Sequence, residues 1–266
     1  MLYDQAQIVL ACLEASQAGA DPFFAQIAED TLQYVRRDMT DARGGFYSAE
    51  DADSVPAEHH DDPHAHKMEG AFYVWTADEI KKHLGDDAPI FEARYGILPN
   101  GNAPFDPQHE FVNKNLLYTS QSIADIAKAA NKTPIEVAEA LLRGRQILFD
   151  TRGLRPRPQL DDKVLTAWNG LMIAAFARAS RVLGGGALGQ DNVENPTAAH
   201  LQSAINAASF IRDTMWDAGS RTLLRRYRAG QAAIEGYAED YACLIFGVLE
   251  LFQASGDPQW LSWARE

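Results

Sequence analysis

Two segments of the sequence are apolar on nearly every side at helical spacing, LTAWNGLMIAAFARASRVLG (Leu165–Gly184) and YAEDYACLIFGVLELFQASG (Tyr237–Gly256). A helix that is apolar all round is buried all round, because any exposed side would leave apolar groups in water. Phe23–Met39 and Ala198–Trp216 instead place apolar residues on one side and charged or amide residues on the other. That pattern is typical of a helix with one solvent-facing side. The alternation of the two kinds predicts two concentric layers of helices, with the fully apolar segments in the inner layer.

An internal repeat supports this arrangement. Tyr3–Pro22 aligns without gaps on Glu239–Pro258, and the residues shared by both copies include Asp4/Asp240, Leu13/Leu249, Glu14/Glu250 and the closing pair Asp21-Pro22/Asp257-Pro258. In each Asp-Pro pair the Asp is predicted to cap the next helix and the Pro to occupy its first turn. Chance similarity between two amphipathic helices is the alternative, and the shared Asp-Pro makes it less attractive. Repeated helical hairpins are typical of an array or a closed ring of αα units.

Charge and cysteine content exclude several classes of protein. The 266 residues carry a formal charge of −13, whereas a nucleic-acid binder needs a basic face. No apolar run approaches the roughly 18 residues of a membrane span, and the first residues lack the basic region of a signal peptide. Cys12 and Cys243 form no CxxC motif. We therefore expect a cytoplasmic protein with no nucleic-acid or membrane partner, no metal and no cofactor.

Acidic clusters precede the inner helices or lie in the long loops that lead to them: SAEDADS, LDDK and AED. Glycoside chemistry needs two carboxylates across one bond, one protonated and one ionised. The candidate catalytic residues are Asp51, Asp53, Asp162 and Asp240. The alternative is that Asp162 and Asp240, like Asp4, only cap helix N-termini, where the helix dipole favours anions.

Aromatic and basic residues accompany these acids. We expect Trp75, Trp168 and Tyr241 to contact a substrate, because clefts for small molecules combine aromatic side chains with a few polar groups. Phe72 and Phe46 are predicted to be core residues. Arg157 and Lys163, with Arg155, could bind a carboxylate or phosphate of a substrate; pairing with Asp161 and Asp162 is the alternative.

Other conspicuous features have simpler interpretations. We expect the histidine-rich stretch EHHDDPHAH (Glu58–His66) to be a solvated, dispensable loop rather than a metal site. GGG at Gly184–Gly186 is interpreted as a linker, and both cysteines as small core residues. LLRRYR (Leu223–Arg228) is predicted to be the solvated face of a hairpin.

The motifs GGFYSAEDADS, EGAFYVWT, LDDKVLTAWNGLMI and GYAEDYACLI, in this order, resemble the thioredoxin-domain-containing family related to spermatogenesis-associated protein 20. The resemblance implies an all-α fold, an (α/α)6 toroid of the six-hairpin glycosidase type with short β-hairpins in its long loops. Residues 1–266 would be part of that toroid, with a polar insertion at about 55–68. It also implies a thioredoxin-like domain as a partner in the full-length protein. Related epimerases use histidines as acid and base, but none of the histidines here falls in the acidic motifs.

The sequence therefore supports two functions. The first is a carbohydrate-active toroid whose mouth binds a sugar or similar polyol and uses paired carboxylates for hydrolysis or isomerisation. The second is a non-catalytic binding or scaffold module that serves the thioredoxin-like domain. The two differ in one observable respect: an enzyme needs two carboxylates about 5–10 Å apart in an open cleft, whereas a scaffold uses its acids in caps and ion pairs.

Overall fold

A computed structural model describes residues 1–19, 21–59, 61–62, 64–107, 109–183 and 196–266. Its helices are α1 (Leu2–Gly19), α2 (Pro22–Asp38), α3 (Ala77–Leu84), α4 (Ala88–Tyr95), α5 (Ile123–Ala130), α6 (Pro134–Arg152), α7 (Thr166–Val182), α8 (Pro196–Met215), α9 (Ala238–Ser255) and α10 (Pro258–Arg265). Its strands are β1 (Ala49–Glu50), β2 (Asp53–Ser54), β3 (Met68–Glu69), β4 (Leu160–Asp161), β5 (Val164–Leu165), β6 (Trp216–Asp217), β7 (Thr222–Arg228) and β8 (Gln231–Glu235). The predicted all-α class with short β-hairpins is confirmed. Among the described residues, no helix is long and apolar enough to cross a membrane.

The chain divides into two compact units. The first unit comprises Met1–Glu50 and Leu160–Glu266, and the second comprises Asp51–Gln159. Each has its own cluster of buried apolar residues.

Three helices, α1, α7 and α9, lie side by side in the first unit, with α7 in the middle. Each is followed by a helix that packs against it, α2, α8 and α10 respectively. Near their N-termini the rings of Tyr3 and Trp168 are 4.8 Å apart, and near their C-termini Arg178 of α7 forms ion pairs with Glu14 of α1 and Glu250 of α9. The three inner helices are therefore parallel. The layered hairpins predicted from the alternating pattern are confirmed for this unit.

Two glycines allow α7 and α9 to approach each other closely in the core. A Cβ added to Gly247 would lie 2.2 Å from the carbonyl oxygen of Gly170, and one added to Gly170 would lie 2.4 Å from that of Cys243. Real Cβ atoms do not come this close to backbone atoms, so the helix axes can be this close only because both side chains are hydrogen atoms.

The prediction that the two apolar segments are inner helices is confirmed for α7, most of which is buried. The helix α9 differs, because Ala242 and Ile245 on one of its sides are exposed. The predicted caps are confirmed: the Asp21 carboxylate accepts a hydrogen bond from Phe23 N at 2.9 Å, and that of Asp257 from Gln259 N at 3.0 Å.

Short strands lead into the inner helices. β7 pairs with β5, β6 and β8, with Val164 opposite Tyr227 and Tyr227 opposite Ala232. The expectation that this strand is a solvated hairpin face is therefore wrong. It is central to a four-stranded sheet, and its alternation buries Leu223 and Tyr227. β1 pairs with β4, which places Glu50 opposite Leu160 at the boundary between the two units.

The second unit is built from α3, α4, α5 and α6 around an apolar core that includes Trp75, Ile80 and Phe91. Capping boxes define the starts of α3 and α6, at Thr76 with Glu79 and at Thr133 with Glu136. β2 pairs with β3, so the histidine-rich stretch belongs to the loop that joins them. Its residues His60 and Pro63 lie outside the described residues, and the solvated-loop interpretation stays a prediction. The linker predicted at Gly184–Gly186 also lies outside the described residues.

Candidate functional site

The candidate site lies at the end of the first unit where the three inner helices begin. β5 leads directly into α7 and β8 into α9. The loop after α2 is tied to the same end by Asn169, a fully buried residue of α7. Its side-chain oxygen accepts a hydrogen bond from Phe46 N at 2.8 Å, and its amide nitrogen donates to Phe46 O at 3.0 Å and to Leu165 O at 2.9 Å.

Asp240 is the most deeply buried of the candidate acids, with 1% of its surface exposed. Its Oδ1 accepts a hydrogen bond from Ala167 N at 3.2 Å, and its Oδ2 accepts from Tyr237 N at 2.9 Å and from Arg225 Nη1 at 2.8 Å. The carboxylate thus closes the first turn of α9 and joins it to α7. Each oxygen already has a partner, and the arginine supplies the opposite charge that a buried carboxylate requires.

Asp162 lies in the turn between β4 and β5 and is about half exposed. Arg228 Nε donates a hydrogen bond to its Oδ1 at 2.6 Å. The neighbouring Lys163 bonds to the Asp161 carboxylate, so the alternative predicted for this lysine, pairing within its own loop, is confirmed. Burial acts to raise the pKa of Asp161, but its hydrogen bonds, chiefly the one from Lys163, hold that pKa below its usual range.

Two arginines of β7 form ion pairs with Asp240 and Asp162. Arg225 holds Asp240 and Arg228 holds Asp162. Because successive side chains of a strand point to opposite sides, residues three apart project from opposite faces of the sheet. The two carboxylates are therefore held by arginines on different faces of β7.

Aromatic rings lie at the same end of the first unit as Asp240. Trp168 and Tyr3, both half-buried, pack against each other at the starts of α7 and α1. The Arg225 guanidinium lies 4.8 Å from the ring centroid of the exposed Tyr237. The hydroxyl oxygen of Tyr241 accepts a hydrogen bond from Leu223 N at 2.9 Å, which fixes this ring against β7.

The remaining candidates belong to the second unit. Asp51 forms an exposed ion pair with Lys67 at 3.5 Å, and Asp53 is in β2. Trp75 is 2% exposed, with the Arg155 guanidinium 3.8 Å from its ring centroid, so it is a core residue here. Arg157 lies 5.5 Å from the Phe72 ring. The expected burial of Phe72 and Phe46 is confirmed.

Sequence analysis did not identify Arg225, Arg228 or Asn169 as parts of this end of the molecule. The repeat offered a signal for Asn169, because it aligns with Asp4 and Asp240. The two arginines offered none, since the strand register that brings them to the acids is a long-range property.

Histidines do not contribute to this end of the first unit among the described residues. His200 is fully buried between outer helices, where its Nε2 lies 2.8 Å from Oε2 of Glu29. No group of three or more potential ligands in the described part of the chain could hold a metal ion.

The solved structures that this chain resembles include three neighbours of low similarity. Cellobiose 2-epimerase from Bacillus thermoamylovorans has a TM-score of 0.34 at 10% identity, over 89% of this chain and 53% of that chain. A sugar epimerase from a ruminal bacterium has a TM-score of 0.31 at 14% identity, over 99% and 73%. A D-mannose isomerase has a TM-score of 0.29 at 11% identity, over 99% and 72%. With scores below 0.5, the description of the fold rests on the helices and contacts of this chain itself.

Comparison with known sequences is more specific, although no family model matches the chain. Spermatogenesis-associated protein 20 of Homo sapiens is 38% identical over 285 residues, which cover 99% of this chain and 34% of that protein. The protein of the same name from Mus musculus is 37% identical over the same shares. The chain thus spans about a third of the length of these relatives. It belongs to the family of spermatogenesis-associated protein 20.

Proposed function

We propose that the first unit is a non-catalytic binding module for a small polyhydroxylated molecule such as a sugar, held where the three inner helices begin. One observation carries this proposal. The Tyr3 and Trp168 rings pack against each other at the starts of α1 and α7, and the neighbouring Ala167 N donates to the buried Asp240. Asp240 is paired with Arg225, whose guanidinium lies against the exposed Tyr237 ring.

The chemistry of this surface suits a polyol. Aromatic rings offer apolar faces to the C–H groups of a sugar, and a few fixed polar groups orient its hydroxyls. Three parallel helix N-termini add a positive partial charge that favours hydroxyl oxygen atoms and anions.

The state of the acids favours binding over catalysis. Proton transfer between a sugar and a pair of carboxylates requires both groups to flank one bond. Asp240 has its oxygens in backbone and arginine hydrogen bonds, and Asp162 is paired with an arginine that projects from the other face of β7. We therefore assign Asp240 a positioning role. A module of this kind could also serve a thioredoxin-like domain of the longer protein.

Ligand binding to the 266-residue chain tests the proposal. Saturation-transfer NMR against a panel of aldohexoses, ketohexoses, N-acetylhexosamines and acyclic polyols would identify binders. Trp168→Ala should weaken binding at least about tenfold, the equivalent of ~1.4 kcal/mol, while Phe23→Ala, an exposed aromatic residue of α2, should leave it unchanged. Loss of binding equal in both variants, or no binding by any member of the panel, would contradict the proposal.

The same samples separate binding from catalysis. Analysis of the recovered sugars should show no isomerisation, and disaccharides incubated with the protein in the same way should show no hydrolysis. Asp162→Asn should leave the melting temperature nearly unchanged, because an exposed ion pair contributes only about 0–1 kcal/mol. Asp240→Asn should lower it, because the amide that replaces the buried carboxylate no longer balances the charge of Arg225. Sugar turnover that disappears in Asp162→Asn would establish the carboxylate-based enzyme instead.

A further inference from the structure

A small cleft in the second unit is lined by side chains of both charges. Three are carboxylates, Glu58, Glu79 and Glu110, and two are cations, Lys114 and Arg155. All five belong to the same compact unit. The centres of water-sized groups can occupy about 30 Å³ of this cleft, which is room for a ligand of a few heavy atoms.

Arg155 is held in place within this cleft, and its side chain is only 7% exposed. Its Nη1 donates to the carbonyl oxygens of Phe72 and Val74 at 3.1 and 2.7 Å, and its Nη2 donates to Glu79 Oε1 at 3.1 Å. The guanidinium also lies 3.8 Å from the ring centroid of Trp75. Its Nε has no hydrogen-bond partner among the described residues, so this buried group keeps one donor for a ligand.

Lys114 keeps donors as well. Its Nζ lies 3.3 Å from Oε1 of Glu58, and the lysine side chain is 22% exposed. An ammonium group has three N–H donors, and this ion pair uses one of them. Two donors of Lys114 therefore remain for a ligand.

Glu110 is the carboxylate of the cleft that is left over. Its backbone N–H donates to the Asp106 carboxylate at 2.9 Å, which fixes its position. The Glu110 side chain is half-buried, and its carboxylate forms no hydrogen bond or ion pair with any described residue. A carboxylate that has lost part of its hydration without gaining a partner attracts a cation.

These charges restrict what the cleft accepts. A ligand with only a positive charge is attracted by Glu110 but repelled by Lys114 and Arg155. A ligand with only a negative charge is attracted by the two cations but repelled by the unpaired carboxylate. A molecule that carries both charges a few ångströms apart avoids both penalties.

We propose that this cleft binds the zwitterionic head group of a small α-amino acid, its ammonium at Glu110 and its carboxylate at Lys114 and the Nε of Arg155. The head group has five heavy atoms, in keeping with the size of the cleft. All the residues involved lie in the second unit, so this inference does not depend on the polyol site proposed for the first unit.

Isothermal titration calorimetry with a matched ligand series tests the charge requirement on the wild-type chain. Glycine and L-alanine should bind with a Kd below about 1 mM. Glycolate lacks the ammonium and glycinamide lacks the carboxylate, and each should bind at least about tenfold more weakly than glycine. No saturable binding of either amino acid up to about 20 mM would overturn the proposal. Equal affinity for glycine and either singly charged analogue would overturn it too.

Two matched variants test the position of the site. Glu110→Gln should weaken glycine binding at least about tenfold and reduce the preference for glycine over glycolate. Its melting temperature should not fall, because the carboxylate that it replaces has no partner to lose. Glu69→Gln makes the same change at an exposed residue of β3 outside the cleft, and should bind glycine like the wild type. Equal affinity of the two variants for glycine would place the site elsewhere and overturn the assignment.

Discussion

At the scale of single residues, the most consequential side chains are buried polar groups that hold loops rather than groups that face solvent. Asn169 satisfies both backbone groups of Phe46 from inside α7. The Asp240 carboxylate accepts hydrogen bonds from backbone N–H groups at the starts of α7 and α9. Such groups are expensive to remove because the partners that remain are buried without a hydrogen bond.

Asn169→Ala should lower the free energy of unfolding by about 2–4 kcal/mol, because it leaves the buried amide and carbonyl of Phe46 without their partners. Urea denaturation followed by circular dichroism measures the change. Gln202→Ala, at an exposed position of α8, should change stability by less than about 0.5 kcal/mol. Similar small losses in both variants would show that the loop does not depend on Asn169.

The hydrogen bond between Glu29 and His200 predicts a dependence of stability on acid. The hydrogen bond from His200 is the largest influence on the pKa of Glu29 and lowers it from the ordinary 4.5, against the opposing effect of burial. A carboxyl whose pKa is lower in the folded state stabilises the fold above its unfolded pKa, and this contribution disappears as pH falls through the folded pKa.

Thermal melting between pH 7 and pH 3 tests this directly. The wild type should lose stability below about pH 4.5 more steeply than Glu29→Gln, which has no proton to take up at this position. If the melting temperatures of the two proteins fall in parallel as the pH is lowered, Glu29 does not contribute to the loss of stability in acid.

At the scale of elements, five helices of the first unit were predictable because each has at least 17 residues and is apolar on one side or all round, namely α1, α2, α7, α8 and α9. The Asp-Pro pairs predicted where α2 and α10 begin, and in the structure each Asp caps the helix that follows it. The helices of the second unit were not predicted. Three of them have only 8 residues, which is shorter than the window in which a helical period is recognisable. For α6 a signal existed, the capping-box spacing of Thr133 and Glu136 with Pro134 between them.

The candidate site was predictable only in its location. Long loops before apolar helices indicated the end of the first unit where Asp240 lies, because parallel inner helices bring their N-termini together. The partners of each acid were beyond sequence analysis. Arg225 reaches Asp240 only because β7 pairs with β5 and β8, and pairing register depends on the assembled core.

The contact between α7 and α9 carries a prediction of its own. Gly247→Ala places a methyl group 2.2 Å from the carbonyl oxygen of Gly170, so the two helices must move apart. Overpacking of this kind costs typically 1–3 kcal/mol, and we expect a loss of about 2–3 kcal/mol on thermal or urea unfolding. Gly19→Ala, where an added Cβ has no neighbour within 4 Å, is the matched control and should be neutral or stabilising. Equal stability of the two variants would mean that the helices adjust without cost.

At the scale of the whole molecule, the boundary between the units has a simple geometry. Glu50 and Leu160 lie opposite each other in the β1–β4 pair, so the chain leaves the first unit and returns to it at neighbouring positions. The second unit is a continuous stretch with its own apolar core.

Replacement of Asp51–Gln159 by Asn-Gly should therefore give a folded first unit, because that dipeptide favours the tight turn that two antiparallel strands require. Circular dichroism should show a helical protein with a cooperative melting transition. An unfolded product would show that the first unit needs the second for its stability.

The same boundary sets an order of events during synthesis. Leu2, Ala6, Val9 and Leu13 of α1 are buried in a core whose other members come largely from beyond residue 160. While the ribosome makes the intervening stretch, these side chains have no permanent cover, whereas Asp51–Gln159 contains all the partners of its own core. Domains generally fold as units as they emerge. The second unit is thus expected to be complete first, and α1 and α2 to wait with exposed apolar surface that a nascent-chain chaperone would recognise.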